Sequence, residues 1–124
     1  MKLLAFALAL ALSACAYLPS GASKAPQEVV AGGYVAYTAA GRGFVLYGRL
    51  PRCAATVPAP CSDQDVIDHA KVVSQKTLDE LKAAEVIVRR PGVGTEIAAS
   101  VAAAAEASVR ALTTFSNSLP KAKE

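Results

Sequence analysis

Pro51, Pro58 and Pro60, followed later by Pro91-Gly92-Val93-Gly94, cut the chain where neither a helix nor a strand can continue. Whatever folds must be built from the pieces between these breaks. The middle piece is the clearest. Val66, Ala70, Val73, Thr77, Leu81, Ala84 and Val88 recur at steps of three and four, which lays one apolar stripe along a helix. Asp68, Lys71, Lys76, Asp79 and Lys82 fall mostly off that stripe. Ser62 suits the N-cap, with Asp63 and Asp65 in the first turn, where the helix dipole favours negative charge. Arg89 and Arg90 suit the opposite end.

After the second break, Thr95 is placed to cap a further helix. Its expected buried face is Ile97, Val101, Ala104, Leu112 and Phe115, with Ser108 on the same stripe and bonded back to its own helix. Ala102 to Ala105 adds strong helix propensity. The tail 117–124, with Pro120 and two lysines, is expected to fray.

The first piece, residues 27–50, admits two readings. A hairpin turning at Ala40-Gly41-Arg42-Gly43 is favoured by its aromatic and β-branched residues. Its alternation is poor, because Phe44-Val45-Leu46-Tyr47 is continuous. A helix fits better: Val30, Gly33, Tyr37, Ala40, Phe44 and Tyr47 make one stripe, Pro26 can open it, and Pro51 stops it beyond Leu50. Gly32, Gly33, Gly41, Gly43 and Gly48 each cost up to ~1 kcal/mol against alanine in a helix interior, so packing must supply the stability. The expected fold is all-α, an up-down-up bundle of three helices over residues 27–116, about 30–40 Å long.

The N-terminus has a different character. Lys2 precedes an unbroken apolar run from Leu3 to Leu12, too short for a membrane span of ~20 residues but suited to the core of an export signal. Leu12-Ser13-Ala14-Cys15 follows directly and resembles the lipobox of bacterial lipoproteins. That resemblance implies cleavage of residues 1–14, lipid on Cys15, and a tether over residues 15–26. Ala16 after the cysteine implies sorting to the inner leaflet of the outer membrane, facing the periplasm. Lipid is then a partner through the anchor.

Lipidation of Cys15 leaves Cys53 and Cys61 from the three cysteines. In an oxidising compartment a remaining pair is most simply a disulfide, clipping the loop 51–61. A metal site is the rival, but two cysteines and the lone His69 do not complete a tetrahedral set. No metal or cofactor is expected.

Charge narrows the function classes. The chain has 13 Lys and Arg against 10 Asp and Glu, and cleavage would remove only Lys2, leaving a net charge of +2. That is too balanced for a nucleic-acid binder. There is no G-x-S-x-G and no P-loop, and the sole base candidate is His69, beside Asp65 and Asp68. Catalytic residues are therefore not expected.

The most distinctive remaining cluster is Arg42, Arg49 and Arg52 with Tyr34, Tyr37, Phe44 and Tyr47. It reads either as a contact surface for anionic headgroups or a cell-wall polymer, or as core aromatics with solubilising arginines at their edge. The latter reading is the more economical one. The order of lipobox, tether, Cys loop and alanine-rich helices is also similar to small helical lipoproteins of bacterial viruses and prophages. The implied role is a non-catalytic structural or interaction protein of the envelope. A lysis accessory similar to the outer-membrane subunit of a spanin pair is the alternative, and an enzyme or inhibitor domain comes last.

Overall fold

Pro26, Pro51 and Pro91 stand where the helices begin or end. The computed structural model describes residues 24–123 as α1 (Pro26–Gly48), α2 (Gln64–Arg89) and α3 (Thr95–Ser118), each packed against the other two. Direction alternates along the bundle. The side chain of Gln27 at the start of α1 donates to the carbonyl of Val88 at the end of α2, at 3.1 Å. At the opposite end the loop 49–63 carries the chain from α1 into α2. The export core, the lipobox with Cys15, and tether residues 15–23 lie outside the described residues.

The helical reading of the first segment holds, with Pro26 inside the first turn. Two of its glycines explain how a helix so rich in them is stable. A Cβ at Gly33 would stand 2.7 Å from Leu81 Cδ2, and one at Gly43 would collide with Ser116 Oγ. At these points α1 meets α2 and α3 backbone-close, so packing replaces the lost propensity. Gly32, Gly41 and Gly48 have no such neighbour. Beyond Gly48 the Arg49 and Leu50 amides bond back to Val45 and Tyr47 at 3.1 Å, and Pro51 ends the helix.

The stripe expected on α2 is the one buried, with Ala70, Thr77, Leu81, Ala84 and Val88 innermost. Its cap shifts by one residue. Asp63, not Ser62, is the N-cap, its carboxylate accepting from the Asp65 amide at 2.8 Å. Ser62 is wholly buried and bonded elsewhere. Gly92 makes the turn into α3 with φ +80°, a left-handed conformation that glycine adopts without strain.

Helix α3 forms as expected but is rotated by about one position. Ala98, Ala102, Ala105, Val109, Leu112 and Ser116 face inward, while Ile97 is 59% exposed and Ala104 is exposed. The seams accept alanine where the larger Ile97 would hold the helices apart. Gly94 rather than Thr95 is the N-cap, and Ser116 rather than Ser108 is the buried hydroxyl. The helix continues past residue 116 to Ser118, and the tail then returns along α1: the Ala122 amide donates to the Leu46 carbonyl at 3.2 Å. Among the described residues no helix is long and apolar enough to cross a membrane.

Candidate functional site

The loop end of the bundle concentrates the residues that the sequence singles out. Cys53 and Cys61 form a disulfide with Cα atoms 5.0 Å apart. Beside it the Cys53 amide donates to Ser62 O at 3.0 Å and the Ser62 amide donates to Pro51 O at 2.8 Å. The buried Ser62 hydroxyl donates to Leu50 O at 2.9 Å, and the Tyr47 phenol accepts from the Asp63 amide at 2.7 Å. Each bond ties the chain leaving α1 to the chain entering α2. The disulfide therefore caps a hydrogen-bonded neck.

Arg42, Arg49 and Arg52 are all exposed, yet they are not one cluster. Arg42 and Arg49 lie two turns apart on the outer side of α1. Arg52 belongs to the neck, its guanidinium donating to Ser62 Oγ at 3.3 Å. No Asp or Glu occurs from Val29 through Ser62, but Asp63, Asp65 and Asp68 follow at once at the start of α2, and Asp68 lies close enough to Arg52 to feel its charge.

The aromatics divide as well. Tyr47 is buried, whereas Tyr34, Tyr37 and Phe44 are half-buried. The Tyr34 hydroxyl donates to Glu85 Oε2 at 2.9 Å. Partial desolvation, and then this bond to a carboxylate, hold its pKa above the ordinary tyrosine value. Phe44 packs on Phe115 with ring centroids 5.3 Å apart, and the His69 ring meets the same Phe115 edge-on at 5.5 Å.

His69 is thus an aromatic cover over the end of the core. Asp68 has other partners: Lys71 Nζ at 3.2 Å and Gln64 Nε2 at 2.9 Å. These donors, Lys71 first, lower its carboxyl below the usual range, and Arg52 adds a smaller effect. Among the described residues no group of three His, Cys, Asp or Glu is placed to hold a metal.

Two surface grooves were not legible from the sequence. One runs between α1 and α3 near Lys24, about 570 Å³, and its walls mix Glu28 and Glu106 with Lys24 and Arg110. The other lies between α1 and α2 toward the loop end, about 470 Å³, and contains Tyr37, Phe44, Ile67, Lys71 and Gln75 but no carboxylate. Gly41 and Gly48 form part of its α1 wall. A Cβ at Gly41 would meet nothing within 4 Å, as is also true of Gly32 in the α1/α3 groove.

Compared with known proteins, the chain matches no family model, no curated protein and no solved structure.

Proposed function

We propose that the protein is a lipid-anchored lipoprotein of the bacterial envelope that works by contact and position rather than by catalysis. The observation that carries this reading is the export core Leu3–Leu12 running directly into Ser13-Ala14-Cys15. The bundle geometry supports it: α1 begins shortly after the tether, at the end opposite the disulfide neck. A lipid on Cys15 would then hold one end of the bundle near a membrane, with the neck about 35 Å away along α1. Arg49 and Arg52 would face away from the anchoring headgroups by several Debye lengths, which are about 8 Å each. A partner elsewhere in the envelope, such as wall polymer or another envelope protein, suits them better.

The non-catalytic part of the reading draws on how the titratable groups are used. His69 rests on Phe115, Asp68 is engaged by Lys71 and Gln64, and Glu85 and Glu106 pair with Arg89 at 2.8 Å and Arg110 at 2.7 Å. Glu85 also accepts from the Tyr34 phenol at 2.9 Å, a bond that ties α1 to α2. Ala16 favours the inner leaflet of the outer membrane, facing the periplasm. An ordered, disulfide-braced bundle gives no support to the spanin-like alternative.

The test is intact-mass analysis of protein extracted from membrane fractions. A chain starting at Cys15 and carrying acyl mass is expected, and Cys15→Ala should leave a precursor that retains residues 1–14. A lipid-free chain in the membrane fraction would refute the anchor.

A further inference from the structure

The last carbonyls of a helix have no partner within it and must find one elsewhere. At the end of α1, Val45 O receives the Arg49 amide at 3.1 Å, as in any α-turn. Leu50 departs from that pattern. Its amide donates to Tyr47 O at 3.1 Å, the tighter i→i+3 bond, and so gives up Leu46 O, its α-helical acceptor. The Ala122 amide takes Leu46 O instead, at 3.2 Å. The C-terminal tail thus caps the first helix.

The tail is shaped to reach that place. Pro120 bars Leu119 from the helical region, and Leu119 is extended at φ −84°, ψ 142°, so the chain leaves α3 there. Leu119 and Ala122 are half-buried. Between them the Lys121 stem crosses Gly43, its Cε 3.5 Å from where a Cβ of residue 43 would stand. The hold is light. Lys121 and Lys123 are exposed, and the Lys121 ammonium reaches Asn117 Oδ1 at 3.5 Å. One backbone bond, one lysine stem and a half-buried leucine can let go while the bundle stays folded.

Leu50 also belongs to the neck. Its carbonyl accepts from the buried Ser62 hydroxyl at 2.9 Å, and the Ser62 carbonyl accepts from the Cys53 amide at 3.0 Å. When the tail leaves, Leu46 O loses its donor, and the nearest replacement along the chain is the Leu50 amide four residues on. We infer that residues 119–123 are a releasable strap, coupled to the disulfide neck through the choice of the Leu50 amide between Tyr47 O and Leu46 O. Strapped, Leu46 serves Ala122 and Leu50 holds Ser62. Released, Leu50 turns back to Leu46, its carbonyl draws away from Ser62, and the neck under the exposed loop 53–61 slackens. This device does not depend on the anchor at Cys15.

The test is amide hydrogen exchange of the oxidised full-length protein in detergent micelles, read residue by residue by NMR. In the wild type the Ala122 amide should exchange roughly fivefold slower than in an unstructured chain, the ratio that one net hydrogen bond gives. Ala122→Pro removes the donor without shortening the chain. It should speed exchange of the Cys53 amide severalfold and leave that of Leu81, in the core, unchanged. A chain ending at Ser118 should reproduce both results. Coupling is reciprocal, so Ser62→Ala should speed exchange at Ala122 by a similar factor. Exchange of Ala122 at the unstructured rate would remove the strap. An unchanged Cys53 in Ala122→Pro, or an unchanged Ala122 in Ser62→Ala, would remove the coupling and with it the inference. Equal acceleration at Cys53 and Leu81 would also overturn it, because the tail would then be part of the cooperative core.

Discussion

Gly41→Ala and Gly43→Ala are the same chemical change, two residues apart in one helix, and should have opposite effects on stability. At position 41 the new methyl enters open space, so only helix propensity counts, and the variant should be more stable by roughly 1 kcal/mol. For a domain of this size that raises Tm by about 4–8 °C. At position 43 the methyl would occupy the place of Ser116 Oγ. That hydroxyl is 1% exposed and donates to Ala40 O at 2.8 Å. Displacing it loses a bond worth about 1 kcal/mol, and stranding it in the interior costs about 1–3 kcal/mol. Allowing for the propensity gain, Gly43→Ala should be less stable by roughly 1–3 kcal/mol. Ser116→Ala removes the obstacle, since a Cβ at 43 stands an ordinary 3.5 Å from Ser116 Cβ. The Ala40 carbonyl keeps its helical bond, so the double variant should return close to wild type, with a coupling of about 2 kcal/mol. Urea unfolding of the oxidised protein, followed by helical circular dichroism, measures all four corners of the cycle. If Gly43→Ala stabilises as much as Gly41→Ala, the register of α1 on α3 is wrong.

Reduction, or Cys53→Ser, opens the loop closed by the disulfide between residues eight apart, and should lower stability by about 2.5 kcal/mol in the same unfolding assay. The neck bonds of Ser62 and Tyr47 should keep the variant folded. The raised pKa of Tyr34 means that the folded state holds the phenolic proton more tightly than the unfolded chain. The associated stability is full below the ordinary tyrosine pKa and is lost as pH rises through the folded value, so stability should fall in that alkaline range. Tyr34→Phe should flatten that part of the pH profile of the unfolding midpoint, with tyrosine ionisation followed by ultraviolet absorbance. His69→Ala should lower stability by about 0.5–1 kcal/mol through loss of its edge contact with Phe115, and should leave complementation of a deletion phenotype unchanged. Loss of complementation by a folded His69→Ala protein would restore a chemical role to the histidine.

The sequence exposes α2 more faithfully than α3, and the reason is contrast. On α2 the lysines and aspartates mark the wet side, so the apolar stripe from Val66 to Val88 can be phased. On α3 both sides are small or apolar: Ala99, Ala103, Ala104 and Ala107 are as exposed as Ala98, Ala102 and Ala105 are hidden. Phasing by the largest side chains selects Ile97 and Val101, whereas the seams are built on alanine. The cap of α2 fails for a related reason. Ser62 and Asp63 are both good cap residues, and the choice depends on Ser62 being drawn inward to the Leu50 carbonyl across the neck. Arg52 sits near Arg49 in sequence, but Pro51 and the same neck send it to Ser62 instead. The disulfide was legible because the cysteine count left little else to pair. The α1/α2 groove was not, since its two walls come from different helices and its defining feature is a side chain that is missing.

The five glycines of α1 divide according to what surrounds them in the fold. A glycine in a helix interior persists against its propensity cost when something occupies the space a side chain would take. For Gly33 that occupant is Leu81, and for Gly43 it is Ser116. Gly48 is the last residue of α1, where little helix remains for it to weaken. Gly32 and Gly41 fit none of these cases: both lie inside the helix, and a Cβ at either meets nothing within 4 Å. Gly32→Ala and Gly41→Ala should therefore each raise stability by roughly 1 kcal/mol, and a shortfall at one position alone would show that the space there is filled in the folded protein.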